Sequence, residues 1–187
     1  MVYPEVIHGM FVDLRSITLD DAEFSYNIRA DKRNRDTVGQ LAPSLEAQKD
    51  FIRWQMQEPN DYYFVVLNKK GERIGLFGVY DIHDGIAETG REVNIGEPME
   101  SMETVILIQR FCRDVLGLNK VYGVIYANNK KHISDAIKSG GQNQHLVQRS
   151  GHDAYYFEYD LLYENPAMQK IKKLLEKVYL SRKRECV

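Results

Sequence analysis

The apolar positions of this chain change period as it proceeds, and each change predicts an element. Met10 to Leu14 alternates as a short strand, and Thr18-Leu19-Asp20-Asp21 offers capping residues before a helical stretch through about Ala30. Asp31 to Gly39 is polar and rich in Arg and Asn, with no apolar period, and predicts a loop or broken helix. Pro43-Ser44 starts a second helix, with Leu45, Ala47, Phe51, Ile52, Trp54 and Met56 at roughly helical spacing, and Glu58-Pro59-Asn60-Asp61 stops it. Tyr62 to Leu67 is a continuous aromatic and β-branched run, which predicts a buried strand. Asn68-Lys69-Lys70-Gly71-Glu72 connects it as a hairpin to a strand from Arg73 to Ile82, and Asp84-Gly85 turns into a third, Ile86 to Ile95.

From Glu103 to Leu116 a broad stripe of Val105, Ile106, Ile108, Phe111, Cys112 and Val115 predicts a helix lying on a sheet, ended by Gly117. Lys120 to Tyr126 alternates with apolar residues of both parities, as a strand packed on both faces does. Asn129 to Ser139 is a short helix ended by Gly140-Gly141. Asn143 to Gln148 and Ala154 to Leu162 form a terminal hairpin around Ser150-Gly151-His152-Asp153. Pro166 opens a last helix, Ala167 to about Leu180, with Met168, Ile171, Leu174, Leu175 and Val178 on one side. There is no internal repeat or low-complexity linker. The organisation expected is one α/β domain over residues 1–163, with a mixed twisted sheet flanked by helices, followed by an amphipathic helix and basic tail over 164–187.

Composition narrows the function classes. A chain of 187 residues, 43% hydrophobic and 28% charged, is long enough for one well-packed domain and is not of disordered type. A formal net charge of -2 gives no electrostatic reason to expect nucleic acid as partner. Cys112 and Cys186 make no disulfide framework, and no leader or long apolar run is present, so a reducing cytoplasm is expected and membrane insertion is not. Cys112, between Phe111 and Val115, reads as a small buried hydrophobe. His8, His83, His145 and His152 are scattered without paired ligand spacing, and no metal is expected.

A strand end feeding a helix start, Val93-Asn94-Ile95-Gly96-Glu97-Pro98, presents backbone N–H groups outward, the physical basis of a phosphate site. With Tyr62-Tyr63-Phe64-Val65-Val66 through Ile74-Gly75, Leu116-Gly117-Leu118-Asn119-Lys120-Val121-Tyr122, and Ala127-Asn128-Asn129 followed by Gly140, the order of elements resembles the GNAT acyltransferases over Met10 to Leu162. Ser44 to Arg53 is most similar to the branch that acetylates amino groups on nucleotide-linked sugars. The resemblance implies acetyl-coenzyme A as co-substrate and a small-molecule amine as acceptor. It places the pantetheine amide at Asn94, Ile95 and Gly96, the pyrophosphate at a loop running through Ser101, Met102, Glu103 and Thr104, and the arm at Asn129. Two departures stand out. The family's basic, glycine-containing loop is here Glu100-Ser101-Met102-Glu103-Thr104, and the residue commonly a tyrosine or histidine acid is Ala136.

Candidate chemistry follows. Glu88 and Glu92 alternate along one strand and are expected on one face, as base or water-positioner, or else as solvated edge residues. His132 shares a helix face with Ala136 and is either a substitute acid or a packing and capping residue. Arg29, Arg33 and Arg35 either fork onto a substrate diphosphate or pair locally with Asp31 and Asp36. Trp54, with Tyr62 and Tyr63, walls an acceptor pocket or belongs to the core. The last helix, with Lys170, Lys172, Lys173 and Lys177 opposite its stripe and Arg182-Lys183-Arg184 at its end, is expected to dock on the domain or form a homodimer in preference to meeting a membrane. Acetyl transfer to a nucleotide-linked amino sugar is the activity expected. The rivals are a non-catalytic module of the same fold and a protein or peptide acetyltransferase.

Overall fold

The computed structural model describes residues 1–35, 39, 41–163 and 165–185, so the readings placed on Asp36 and Cys186 lie outside the described residues. Among the described residues, eight strands form one sheet in the order β1-β2-β3-β4-β5-β6-β8-β7. They are β1 (Ile7–His8), β2 (Val12–Ser16), β3 (Tyr62–Asn68), β4 (Arg73–His83), β5 (Ile86–Asn94), β6 (Lys120–Tyr126), β7 (Gln142–Arg149) and β8 (His152–Asp160). The helices are α1 (Ala22–Ala30), α2 (Leu45–Gln57), α3 (Pro98–Asp114), α4 (Lys130–Lys138) and α5 (Pro166–Glu185). Every neighbouring pair is antiparallel except β5 and β6, which α3 links as a parallel crossover. The strand from Lys120 to Tyr126 forms where its alternation predicts. The first long strand runs two residues later than its pattern suggests, and β1 carries no sequence signal.

Period-two alternation sorts the core onto two faces. Tyr63, Val65, Leu76 and Val93 face Ile28 of α1 and Ile52 of α2, while Phe64, Val66, Phe77, Val79, Ala87 and Val121 face Leu107, Ile108 and Phe111 of α3 and Leu175 of α5. A smaller cluster seats Ile133 and Ala136 of α4 on Phe157. Cys112 is fully buried here, and desolvation pushes its thiol up to about 12, so it packs as a hydrophobe.

Helix α3 starts earlier than the apolar stripe alone predicts. Pro98 occupies its first position, and the Glu97 N–H donates to Glu100 Oε2 at 2.6 Å in a reciprocal capping box. Glu100 to Thr104 is therefore helix, not a phosphate-binding loop. Glu103 is buried and accepts from the N–H groups of Met10 at 2.7 Å, Phe11 at 2.6 Å and Val12 at 2.9 Å. Thr104 is buried too, its hydroxyl donating to the Glu100 carbonyl at 2.8 Å. Met102 packs against the main core. These three residues hold the fold, and the phosphate role expected of them is corrected.

Most of the stripe of α5 is covered by the chain itself, while Leu174 stays 44% exposed. Met168 and Leu175 are buried, and Ile171, Val178 and Tyr179 pack on the same cluster as α3, so the helix docks on its own domain. Among the described residues no helix is long and apolar enough to cross a membrane. Replacing Glu103 by Ala strips one carboxylate from three N–H groups of the β1–β2 turn. It is expected to lower stability by about 3 kcal/mol, read as a fall in the urea midpoint at unchanged slope.

Candidate functional site: a split between two parallel strands

Strands β5 and β6 pair only through Ile86 with Lys120, Ala87 with Val121 and Glu88 with Tyr122. Beyond that point β6 stays bound to β8 along its whole length and β5 stays bound to β4, so the two parallel strands part. The Thr89 hydroxyl makes the last crossing, donating to the Tyr122 carbonyl at 3.1 Å. Gly123 lies at this apex, where a Cβ would stand in van der Waals contact, 3.4 Å, with the Thr89 carbonyl oxygen.

A bulge in β5 follows where the strands part. Leu76 pairs with Val93 and Gly78 with Gly90, so Phe77 faces two residues, Arg91 and Glu92. Arg91 adopts φ 52°, which costs a non-glycine residue roughly 1–2 kcal/mol. Four contacts hold it: Nη1 lies 2.8 Å from Asp61 Oδ1, and the guanidinium lies 4.0 Å from the Tyr80 ring centroid, 5.3 Å from that of Phe51 and 6.0 Å from that of Tyr63. This bulge inverts the alternation. Glu88 and Glu92, expected on one face, lie on opposite faces.

Glu92 turns toward α4, where its Oε2 lies 3.3 Å from His132 Nε2, so a carboxylate–imidazole contact spans the opened strands. Asn129 Oδ1 accepts from the His132 N–H at 3.2 Å, which caps α4 and fixes where His132 leaves the backbone. Ala136 is buried against Phe157 in the core of α4.

Glu88 lies on the side of α1 and α2. Its Oε1 accepts from the Tyr80 hydroxyl at 2.8 Å and pairs with Arg149 of β7. Burial, with Glu88 beside it, pushes the Tyr80 hydroxyl well above the usual tyrosine range and keeps it a donor. A second bulge, at Asp81 with φ 53°, brings its carboxylate to the Tyr122 hydroxyl at 2.5 Å. Desolvation, then the bond to Asp81, raises that hydroxyl as well. Tyr80, Arg91, Tyr122 and Arg149 were not legible as site residues, because strand alternation does not announce a left-handed arginine or a pairing with a distant hairpin.

At the wide end of the split, the Ile95 N–H donates to the Ile74 carbonyl at 2.9 Å, so Asn94, one residue earlier, directs its backbone to the open edge. Asn94 Oδ1 accepts from the Gly96 N–H at 2.7 Å, while its Nδ2 is buried without a partner. A Cβ on Gly96 would meet Glu100 Oε2 at 2.6 Å and Ile74 Cδ1 at 2.7 Å. The Ser101 N–H donates to the Glu97 carbonyl at 3.0 Å. The turn from Asn94 to Glu97 is thus a cradle in which the chain's own Glu100 carboxylate stands.

The substrate residues expected from sequence do not converge. Arg33 closes its fork on Asp31, with 2.9 Å to each carboxylate oxygen, as in the local-pairing reading. Arg29 occupies the last turn of α1. Trp54 is 48% exposed and tilts against Phe51, whereas Tyr62 packs on Phe111 on the opposite face of the sheet from Tyr63, so the three form no common wall. A cavity of about 450 Å³ opens elsewhere, between α3 and α5, lined by Arg110, Tyr159, Met168 and Lys172. Among the described residues no group of His, Cys, Asp and Glu is placed to hold a metal ion.

A family model described as an acetyltransferase (GNAT) domain matches residues 12–142. No curated protein matches the chain. Among solved structures, a GCN5-related N-acetyltransferase from Brucella melitensis superposes with a TM-score of 0.78 at 14% identity, covering 92% of this chain and 86% of that one. The nucleotide-linked sugar GNAT FdhC superposes with a TM-score of 0.71 at 18% identity, covering 96% and 98%. A dodecameric spermidine N-acetyltransferase from Vibrio cholerae gives 0.66 at 16%, covering 82% and 95%. At such identities these likenesses speak for the fold.

Because a Cβ on Gly96 would drive Glu100 out of the cradle, Gly96→Ala is expected to cost about 1–3 kcal/mol. Thermal unfolding of the variant beside the parent measures it.

Proposed function

Since the chain belongs to the GNAT acetyltransferase family, we propose that it moves an acetyl group from acetyl-coenzyme A to an amine that approaches from the side of α1 and α2, by direct attack in a ternary complex. The single observation carrying this reading is the split between β5 and β6, bounded by Glu92 and His132. An extended thioester arm fits there: the edge of Asn94 is open, and its buried Nδ2 lacks an acceptor that an amide carbonyl of such an arm would supply. The co-substrate, when bound, supplies the acyl thioester.

The chain's own residues then position and relay. Glu92 is proposed as base or water-positioner, and its pair with His132 can hold a proton at Glu92 Oε2 or at His132 Nε2. Glu88, tied to Arg149 and Tyr80, is proposed as a positioning group on the acceptor side. Glu88 is ion-paired with Arg149 and Glu92 is engaged by the His132 imidazole, so neither carboxylate stands free, which suits an amine that needs little help to lose a proton. An amine next to C–O bonds titrates nearer ~8, against ~10.4 for a lysine-like amine. That difference supports an amino sugar, on a nucleotide carrier as in the FdhC likeness, over a polyamine or a lysine side chain.

Calorimetry with acetyl-coenzyme A, followed by a thiol-release assay on a nucleotide-linked amino sugar, spermidine and a lysine peptide, tests the reading. Binding followed by turnover on the amino sugar is expected, and turnover confined to spermidine or peptide would overturn the acceptor class. Glu92→Gln is expected to lower kcat about 100-fold with little change in cofactor affinity. An unchanged kcat would remove Glu92 from the chemistry.

A further inference from the structure

The phosphate end of the proposed co-substrate meets an electrostatic contradiction. The N-terminus of α3 favours anions, yet the residues standing there are Glu97 and Glu100, and their carboxylates already complete the capping box. A diphosphate would meet two negative charges, and the stretch from Asn94 to Thr104 contains neither Lys nor Arg.

The cation is supplied from the other end of the chain. Helix α5 runs back along α3, so that Lys172 lies by Asp114 near the end of α3 and Arg182 reaches its start. Arg182 Nη2 lies 3.1 Å from Glu97 Oε2, and its guanidinium sits 5.5 Å from the Phe11 ring centroid. Phe11 meets Tyr179 edge-on at 5.9 Å, so the end of α5 is registered on the domain. Both partners of the ion pair remain in solvent, at 54% exposure for the Arg182 side chain and 64% for Glu97. An exposed pair of this kind contributes little to stability, so it is easily exchanged.

We infer that Arg182 is a phosphate ligand of the acyl-coenzyme A site, held beside the α3 N-terminus by Glu97 and released from it to the diphosphate when the co-substrate binds. The inference rests on the acetyl-coenzyme A reading above. A guanidinium suits the exchange, because its planar fork pairs with two phosphate oxygens as readily as with a carboxylate. It replaces from α5 the basic charge that the β5–α3 turn lacks, and the α5 stripe serves to bring that charge into place. Glu100 then leaves the cradle as phosphate oxygen enters.

Calorimetry of coenzyme A and of pantetheine, which lacks the phosphates, on the full chain and on Arg182→Gln, Arg182→Lys and Glu97→Gln tests it. Arg182→Gln is expected to weaken coenzyme A about tenfold while leaving pantetheine unchanged, Arg182→Lys to lose less, and Glu97→Gln to tighten coenzyme A. Equal coenzyme A affinity in Arg182→Gln, or an equal loss for pantetheine, overturns the inference alone. Parent protein that binds neither probe overturns the acetyl-coenzyme A reading together with it. Thermal unfolding of Arg182→Gln at the parent temperature shows that the fold is intact.

Discussion

Arg91 is held in a left-handed conformation in the middle of β5, and the molecule's division of labour depends on it. Without that extra residue the strand would continue its pleat, and Glu88 and Glu92 would project together. With it, β5 shifts register against β4 and one carboxylate goes to each side of the sheet. The strain is sustained because Asp61, Tyr80 and Phe51 all hold the same guanidinium. A lysine would keep the charge but would not provide a planar group for the ring and the carboxylate at once.

Charge around the split is arranged in closed pairs. Glu92 has His132, Glu88 has Arg149, Asp61 has Arg91 and Glu97 has Arg182. Each pair joins different elements, so the charges act as clips across the sheet as well as chemical groups. The pairs also differ in burial, from Asp61 at 6% side-chain exposure to Glu97 at 64%. The buried pairs fix geometry, and the exposed one is free to change partner, since desolvation makes breaking a buried pair costly and an exposed one cheap.

Helix α5 links the two ends of this arrangement. Its apolar residues complete the core over α3, with Leu175 among the most buried side chains, and its basic end lies where the α3 N-terminus would otherwise carry only acid. Glu103 acts at the same layer from inside, gathering the amides of the β1–β2 turn onto α3. The acidity that argues against a phosphate loop in the sequence is therefore partly structural glue.

The sequence by itself determined the order of strands and helices from Tyr62 onward, the buried character of Cys112 and the apolar stripe of α5, because periodicity and capping are properties of neighbouring residues. It also marked Asn94, Gly96, Glu92 and His132 as residues to watch. Its apolar stripe began α3 at Glu103, five residues late, because the true start depends on Pro98 and on a carboxylate exchange that the stripe does not record. Only the tertiary structure decided which face Glu88 takes, that Glu92 meets His132, and that Arg182 reaches Glu97. Those outcomes depend on a bulge and on contacts between residues far apart in the chain, where local pattern carries no information and packing alone chooses the partner.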